Sequence, residues 1–308
     1  MKLKVLAAFL VFSAGLLIAD NNNTVNGKKP DKDKPVPASD IQIARKITAK
    51  GKPATGGKKP SRGSLAAGLL GQPLMGNKYA IVVGISNYPG SANDLDYCDD
   101  DADLVCSTLT SVYGFNDVII LKDTSATRGA ILNAIESLSA AVNSGDEVVF
   151  FFSGHGANGL ANDGDSERVD ESIVVCNNNN SDITFIWDGE LSSAFSDFAT
   201  SRIIFIFDSC LSGGMQPDLQ SPGRIIAMAS QERGYSYETD ELQNGEFTYY
   251  CFEEGMLGGA ANVHDYDLDG SLYQPSQVTI EEACDYAQVS CSLDKPLFSD
   301  AFDNDLLP

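Results

Sequence analysis

The chain is predicted to be an α/β protein, with a mostly parallel six-stranded sheet sandwiched by helices. Three observations carry this. Val148–Phe152, in the strand that opens at Glu147, and Ile203–Phe207 are unbroken runs of β-branched and aromatic residues, as in strands covered on both faces. From Lys78 onward, runs of this kind alternate with helical periodicity. Both apolar runs stop abruptly, in Ser153-Gly154-His155-Gly156 and in Asp208-Ser209-Cys210, on the carboxyl edge where such sheets carry their chemistry.

The 308 residues allow one large domain with extensions. Residues 1–19 read as a signal peptide: Lys2 and Lys4 precede an apolar run from Val5 to Ala19. That run is short for a spanning helix, although an uncleaved N-terminal anchor is the alternative. No other segment is apolar enough to span a membrane, so a secreted or periplasmic location is expected, with no stable span after cleavage. Residues 20–76 are rich in Asn, Lys, Pro and Gly and cannot bury enough apolar surface to fold alone. They read as a flexible spacer or as a basic pro-region lying over an acidic site, with Lys58, Lys59 and Arg62 as cut sites.

Lys78–Ile85 is the first buried strand. Ala102, Val105, Leu109 and Val112 recur at helical spacing and predict a helix from about Asp99 to Tyr113. Val118–Leu121 is a strand, and Thr124–Thr127 supplies an N-cap for a helix over Arg128–Val142. Strands at Glu147–Phe152 and Ile173–Cys176, a helix at Gly189–Ala199, and strands at Ile203–Phe207 and Arg224–Ala229 complete the alternation. Two further helices are expected near Phe247–Leu257 and Thr279–Ala287. A larger portion is assigned to 77–215 and a smaller portion, with the Asp-rich loop, to 216–308.

Neighbouring strands ending at His155 and Cys210 would set an imidazole beside a thiol, as a thiol nucleophile and its base require. There are only two histidines, and His264 lies in an Asp-rich loop, which leaves His155 as the base. The amides of Gly156 and Cys210 are the expected oxyanion hole. With Cys210 as nucleophile, six cysteines remain. In an exported chain they could pair, Cys284 with Cys291 being close enough in sequence, or stay as buried thiols.

Ser-Gly-His-Gly after one apolar strand and Asp-Ser-Cys-x-Ser-Gly after another resemble the caspase-like cysteine peptidases of the metacaspase branch, over roughly Asn77–Ala287. The resemblance implies the caspase–haemoglobinase fold and a cysteine endopeptidase needing no cofactor for its chemistry. It implies a first substrate pocket made by Cys98, Asp101, Ser153 and Asp208. Two carboxylates there would select Arg or Lys before the cut, by charge-assisted hydrogen bonding. Asp99–Asp101 equally suit a solvated helix N-terminus.

Calcium has two places. Asp170 and Asp188 match the metacaspase calcium context; the family's next acid falls on Gly189, and the one after the nucleophile is shifted to Asp218. Separately, Asp265, Asp267 and Asp269-Gly270 have calcium-loop spacing, with Glu282 as a late closing acid. An Asp-rich surface turn is the plainer account of that loop.

Charge narrows the partners. Residues 1–76 carry 13 Lys+Arg and 4 Asp+Glu, a net of +9; the remainder carries 8 and 39, a net of −31. So acidic a body repels nucleic acid and attracts cationic peptides or metal ions. The expected partners are peptides with Arg or Lys before the cut, and the chain's own N-terminal region as inhibitor. Arg168, Arg224 and Arg233 are self-cleavage sites to test. A non-catalytic caspase-like scaffold and an extracellular calcium-binding module are the alternatives.

Overall fold

The computed structural model describes residues 40–50, 76–161, 163, 169–265 and 268–302. The leader stretch, Lys58, Lys59, Arg62, Arg168 and Asp267 lie outside them. Two short strands come first, β1 (Gln42–Ala44) and β2 (Ile47–Ala49). The body then runs β3 (Lys78–Gly84), α1 (Cys98–Ser111), β4 (Asp117–Lys122), α2 (Arg128–Ser139) and β5 (Glu147–Ser153). Next come β6 (Gly156–Gly159), β7 (Asp170–Cys176), β8 (Ile183–Trp187), α3 (Asp188–Ala194), β9 (Ile203–Asp208), α4 (Gln216–Leu219) and β10 (Arg224–Met228). The chain ends with β11 (Tyr237–Thr239), β12 (Asn244–Gly245), α5 (Glu246–Thr248) leading into a π-helix at Tyr249–Leu257, α6 (Ile280–Ser290) and β13 (Leu297–Asp300).

Six strands form the central sheet in the order β13-β10-β9-β5-β3-β4, parallel except for β13. Every residue of β5 and of β9 is buried, as their unbroken apolar runs require. Alternate side chains feed two apolar layers. Phe150, Phe152, Phe205 and Phe207 face α2, α3 and their surroundings. Val149, Phe151, Ile204 and Ile206 face α1, the π-helix and α6.

One strand expected in this sheet lies elsewhere. Ile173–Cys176 is part of β7, in an antiparallel sheet ordered β1-β6-β7-β8; the sixth place in the main sheet is taken by β13. Apolar periodicity identifies a strand but not its partner. Part of the 20–76 stretch also departs from the flexible reading, because β1 pairs with β6 and β2 with β11. A segment unable to fold alone is ordered here by edges that the body supplies. The seven cysteines are free thiols.

Candidate active site

Strand register brings the expected dyad together. β5 and β9 are parallel neighbours with Ser153 opposite Asp208. His155 and Cys210 each lie two residues past that pair. The turns leave the sheet together, Gly154 N–H donating to the Asp208 carbonyl at 3.3 Å. At Gly156 a Cβ would stand 2.0 Å from the Cys210 carbonyl oxygen. Only glycine permits that approach, which sets the two expected oxyanion-hole backbones side by side.

The His155 ring is clamped. It stacks on Tyr88 at 4.9 Å, and Nε2 donates to the Asn93 carbonyl at 2.8 Å. Nδ1 therefore carries the lone pair, and it accepts the Lys46 N–H at 3.1 Å. Cys210 Sγ accepts the Ser236 N–H at 3.2 Å. Burial first pulls the imidazole down to about 4, the charges of Arg45 and Lys46 adding to it. Burial pushes the Cys210 thiol up to about 12. Both groups are thus neutral at pH 7.

The expected pocket residues converge, and a lysine of the chain fills the space between them. Lys46 Nζ lies 2.8 Å from Asp208 Oδ1, 3.1 Å from Ser153 Oγ and 3.5 Å from Asp101 Oδ2. All three side chains of the ion pairs are fully buried. Burial works against the ammonium, but Asp208, Cys98, Asp101 and Glu238 outweigh it and hold Lys46 charged, well above its ordinary pKa. Asp101 is raised to about 6 by burial, with Lys46 opposing.

The remaining carboxylate lone pairs are satisfied. Asp208 accepts from Ser236 Oγ at 2.6 Å and from Thr248 N and Oγ1 at 3.1 and 2.6 Å. Asp101 accepts from Ser153 Oγ at 2.6 Å, Gly245 N at 2.9 Å and Asn244 Nδ2 at 3.1 Å. Asp101 lies in the first turn of α1, but fully buried and turned to these partners rather than solvated. Behind the pocket, Glu246 and Asp294 accept backbone N–H groups of Asp294, Leu293, Tyr237 and Phe247, which braces β11 and α5.

Residues 78–219 match the family model described as metacaspase, peptidase C14 domain. The chain is metacaspase-like. Metacaspase-4 of Arabidopsis thaliana is 28% identical over 204 residues, covering 63% of this chain and 47% of that one. Metacaspase-8 of the same plant is 34% identical over 149 residues, covering 45% and 38%. The matched part thus spans less than half of each of these relatives. A crystallised Geobacter sulfurreducens protein shares the fold, with a TM-score of 0.51, 19% identity, and coverage of 75% of this chain and 95% of that one.

Of the first set of acids, Asp170 and Asp188 come together with a further one, Asp163, while Asp218 lies outside that cluster. Oxygens of Asp163, Asp170 and Asp188 lie within 4.8 Å of one another. Asp163 supplies the acid that Gly189 lacks, and the Gly189 N–H donates to it at 3.2 Å. Burial, then the charges of Asp163 and Asp218, push Asp188 up to about 10. Hard carboxylate oxygens crowded in this way suit a divalent cation.

Among the described residues of the second set, no carboxylate cluster forms around Glu282. Glu282 caps α6, taking Thr279 N–H at 3.0 Å, Val263 N–H at 3.0 Å and His264 N–H at 3.2 Å. Asp265 and Asp269 accept N–H groups within their own turn, from Gly270 and Ser271, both at 2.8 Å. Arg224 is also removed as a cut site, since its guanidinium donates to the Leu219 and Phe195 carbonyls from within β10.

Sequence reasoning missed Lys46, Asp163, Ser236, Glu238, Asn244, Gly245 and Thr248. For Lys46 a signal existed. In Ile41–Ala49 apolar residues recur at 41, 43, 47 and 49, a strand-like alternation inside an otherwise polar tract. The others lie on loops (Asp163, Ser236) or in the short elements β11, β12 and α5, whose return to the pocket is not written locally.

Proposed function

We propose that this chain is a cysteine endopeptidase that cleaves after Lys or Arg and is held closed by its own residues 40–50. One observation carries the reading: the Lys46 side chain is fully buried between Asp208 and Asp101, with its backbone N–H on His155 Nδ1. A pocket that binds its own lysine in this way suits a substrate lysine or arginine equally.

In the open enzyme, water reaches the dyad and its two pKa values relax toward each other. His155 takes the Cys210 proton, and the sulfur attacks the carbonyl carbon of the substrate residue in the pocket. His155 then protonates the leaving amine, and water hydrolyses the thioester. The Gly156 and Cys210 amides receive the developing negative charge.

Calcium belongs to the same proposal, held by Asp163, Asp170, Asp188 and Asp218. It would supply positive charge to carboxylates that otherwise repel one another. The cluster adjoins the nucleophile loop, because Glu171, the neighbour of Asp170, packs so closely on Gly214 that a Cβ there would meet it at 2.1 Å. Export through residues 1–19 is also proposed, and fractionation of the producing cells tests it.

The test uses fluorogenic peptides ending in Arg, Lys or Asp, with the full chain, Lys46→Ala and Cys210→Ala. Turnover of the Arg and Lys peptides by Lys46→Ala, lost when Cys210→Ala is added, is expected. Asp-peptide turnover, or none by any form, would move the reading to another specificity or to a scaffold.

A further inference from the structure

We infer that residues 40–50 run through the active site in the opposite direction to a substrate, so Lys46 plugs the pocket without offering the Lys46–Ile47 bond for hydrolysis. The inference rests on the proposed peptidase reading.

The argument turns on which amide faces which group. Hydrolysis after a residue in the pocket needs that residue's carbonyl at the thiol, and the next residue's nitrogen within reach of the imidazole. Here the imidazole faces the nitrogen of the pocket residue itself, with Lys46 N 3.1 Å from His155 Nδ1. The nitrogen that would have to leave, Ile47 N, is turned away and donates to the Ser236 carbonyl at 3.0 Å. The pocket residue thus sits on the leaving-group side of the bond that the imidazole addresses.

That addressed bond is Arg45–Lys46, and it is no better placed for cleavage. Its acyl residue is Arg45, whose guanidinium lies outside the pocket on the Ala92 carbonyl at 2.5 Å. Neither bond combines a pocket-filling acyl residue with an imidazole-facing nitrogen. Reversing the chain direction would restore both conditions at once.

The flanking pairings hold this polarity. After Lys46 the chain runs parallel to β11, Ile47 opposite Tyr237 and Ala49 opposite Thr239. Before it, β1 runs antiparallel to β6, Ala44 opposite Gly156. Thr48 Oγ1 adds a 2.7 Å bond to Glu238 on β11. To turn the lysine into a substrate, both pairings would have to break. The segment therefore inhibits without being consumed, and release comes by displacement or by a cut outside it.

A synthetic peptide of residues 40–50 is added to the full-length Lys46→Ala protein while it hydrolyses a Lys reporter. Competitive inhibition that does not fade, with the peptide intact by mass spectrometry, is the expected result. Misplacement by an ångström already costs about 100-fold in rate, so cleavage at Lys46–Ile47 should be at least that much slower than reporter cleavage. Release of a fragment beginning at Ile47 at a rate near the reporter's would overturn the reversed polarity alone. A peptide neither bound nor cut would overturn the plug. No reporter hydrolysis by the variant in any condition would overturn the peptidase reading, and this inference with it.

Discussion

Replacing Lys46 by Ala removes the one cation from a buried cluster that holds Asp208 at 2.8 Å and Asp101 at 3.5 Å. Breaking a buried ion pair from one side costs about 3–5 kcal/mol, because a charge is left uncompensated. The loss falls on docking of the segment rather than on the fold. Once residues 40–50 leave, water enters the pocket and solvates both carboxylates. At 1.4 kcal/mol per factor of ten, the open-to-closed ratio should rise roughly 100-fold or more. The assay is the initial rate of Lys-peptide hydrolysis by full-length protein, checked by electrophoresis to be uncut. Lys46→Ala should be faster than the unmodified chain by up to that factor, with a small change in Tm. Lys46→Arg keeps the charge and should stay slow. Equal rates for the unmodified chain and Lys46→Ala, where the latter is active, would refute the reasoning. So would a Lys46→Arg chain as fast as Lys46→Ala.

Four other outcomes are expected. Iodoacetamide labelling of Cys210, mapped by mass spectrometry at pH 7.5, should be on the order of 10³-fold faster in Lys46→Ala, as the thiol falls from about 12 toward its ordinary 8.5. Calcium at 100 times its Kd should stabilise the chain by about 2.7 kcal/mol in thermal unfolding; Asp188→Asn and Asp163→Asn should abolish the shift and Asp265→Asn should not. Glu147 is raised to about 7 by burial, so the folded state holds its proton more tightly than the unfolded one. Its contribution to stability is therefore complete below about pH 4.5 and lost as pH rises through 7, up to about 3 kcal/mol, and Glu147→Gln should flatten that part of the Tm profile. Gly156→Ala drives a methyl into the Cys210 carbonyl and should abolish peptidase activity and lower Tm, since a Cβ at 2.0 Å forces the nucleophile turn to move.

Much of the catalytic half was legible because its signals are local. Val148–Phe152 and Ile203–Phe207 are apolar throughout, so they had to be central strands, and whatever follows a central strand lies on the sheet edge. The dyad needed only those two strands to be neighbours. Cys98, Asp101, Ser153 and Asp208 were legible by resemblance, because each sits at a fixed offset from a strand or helix end. The loop acids were less legible. Glu282 is a capping residue, and Thr279 three places before it is the signal that a cap was already satisfied. Asp163 was invisible because its partners, Asp170 and Asp188, meet it only through the folding of β7 and α3.

The order of apolar runs, the two strand-end motifs and the opposed charges of the two parts of the chain were determined by the sequence alone. These depend on neighbouring residues or on simple sums. Only the tertiary structure decided which edges stay open, that β7 leaves the main sheet, and that β1 and β2 take the vacant edges of β6 and β11. Strand pairing is a non-local choice, made by whichever unsatisfied backbone groups lie within reach once the core has packed. The same choice carries Lys46 into the pocket and sets its direction there, which no stretch of neighbouring residues encodes.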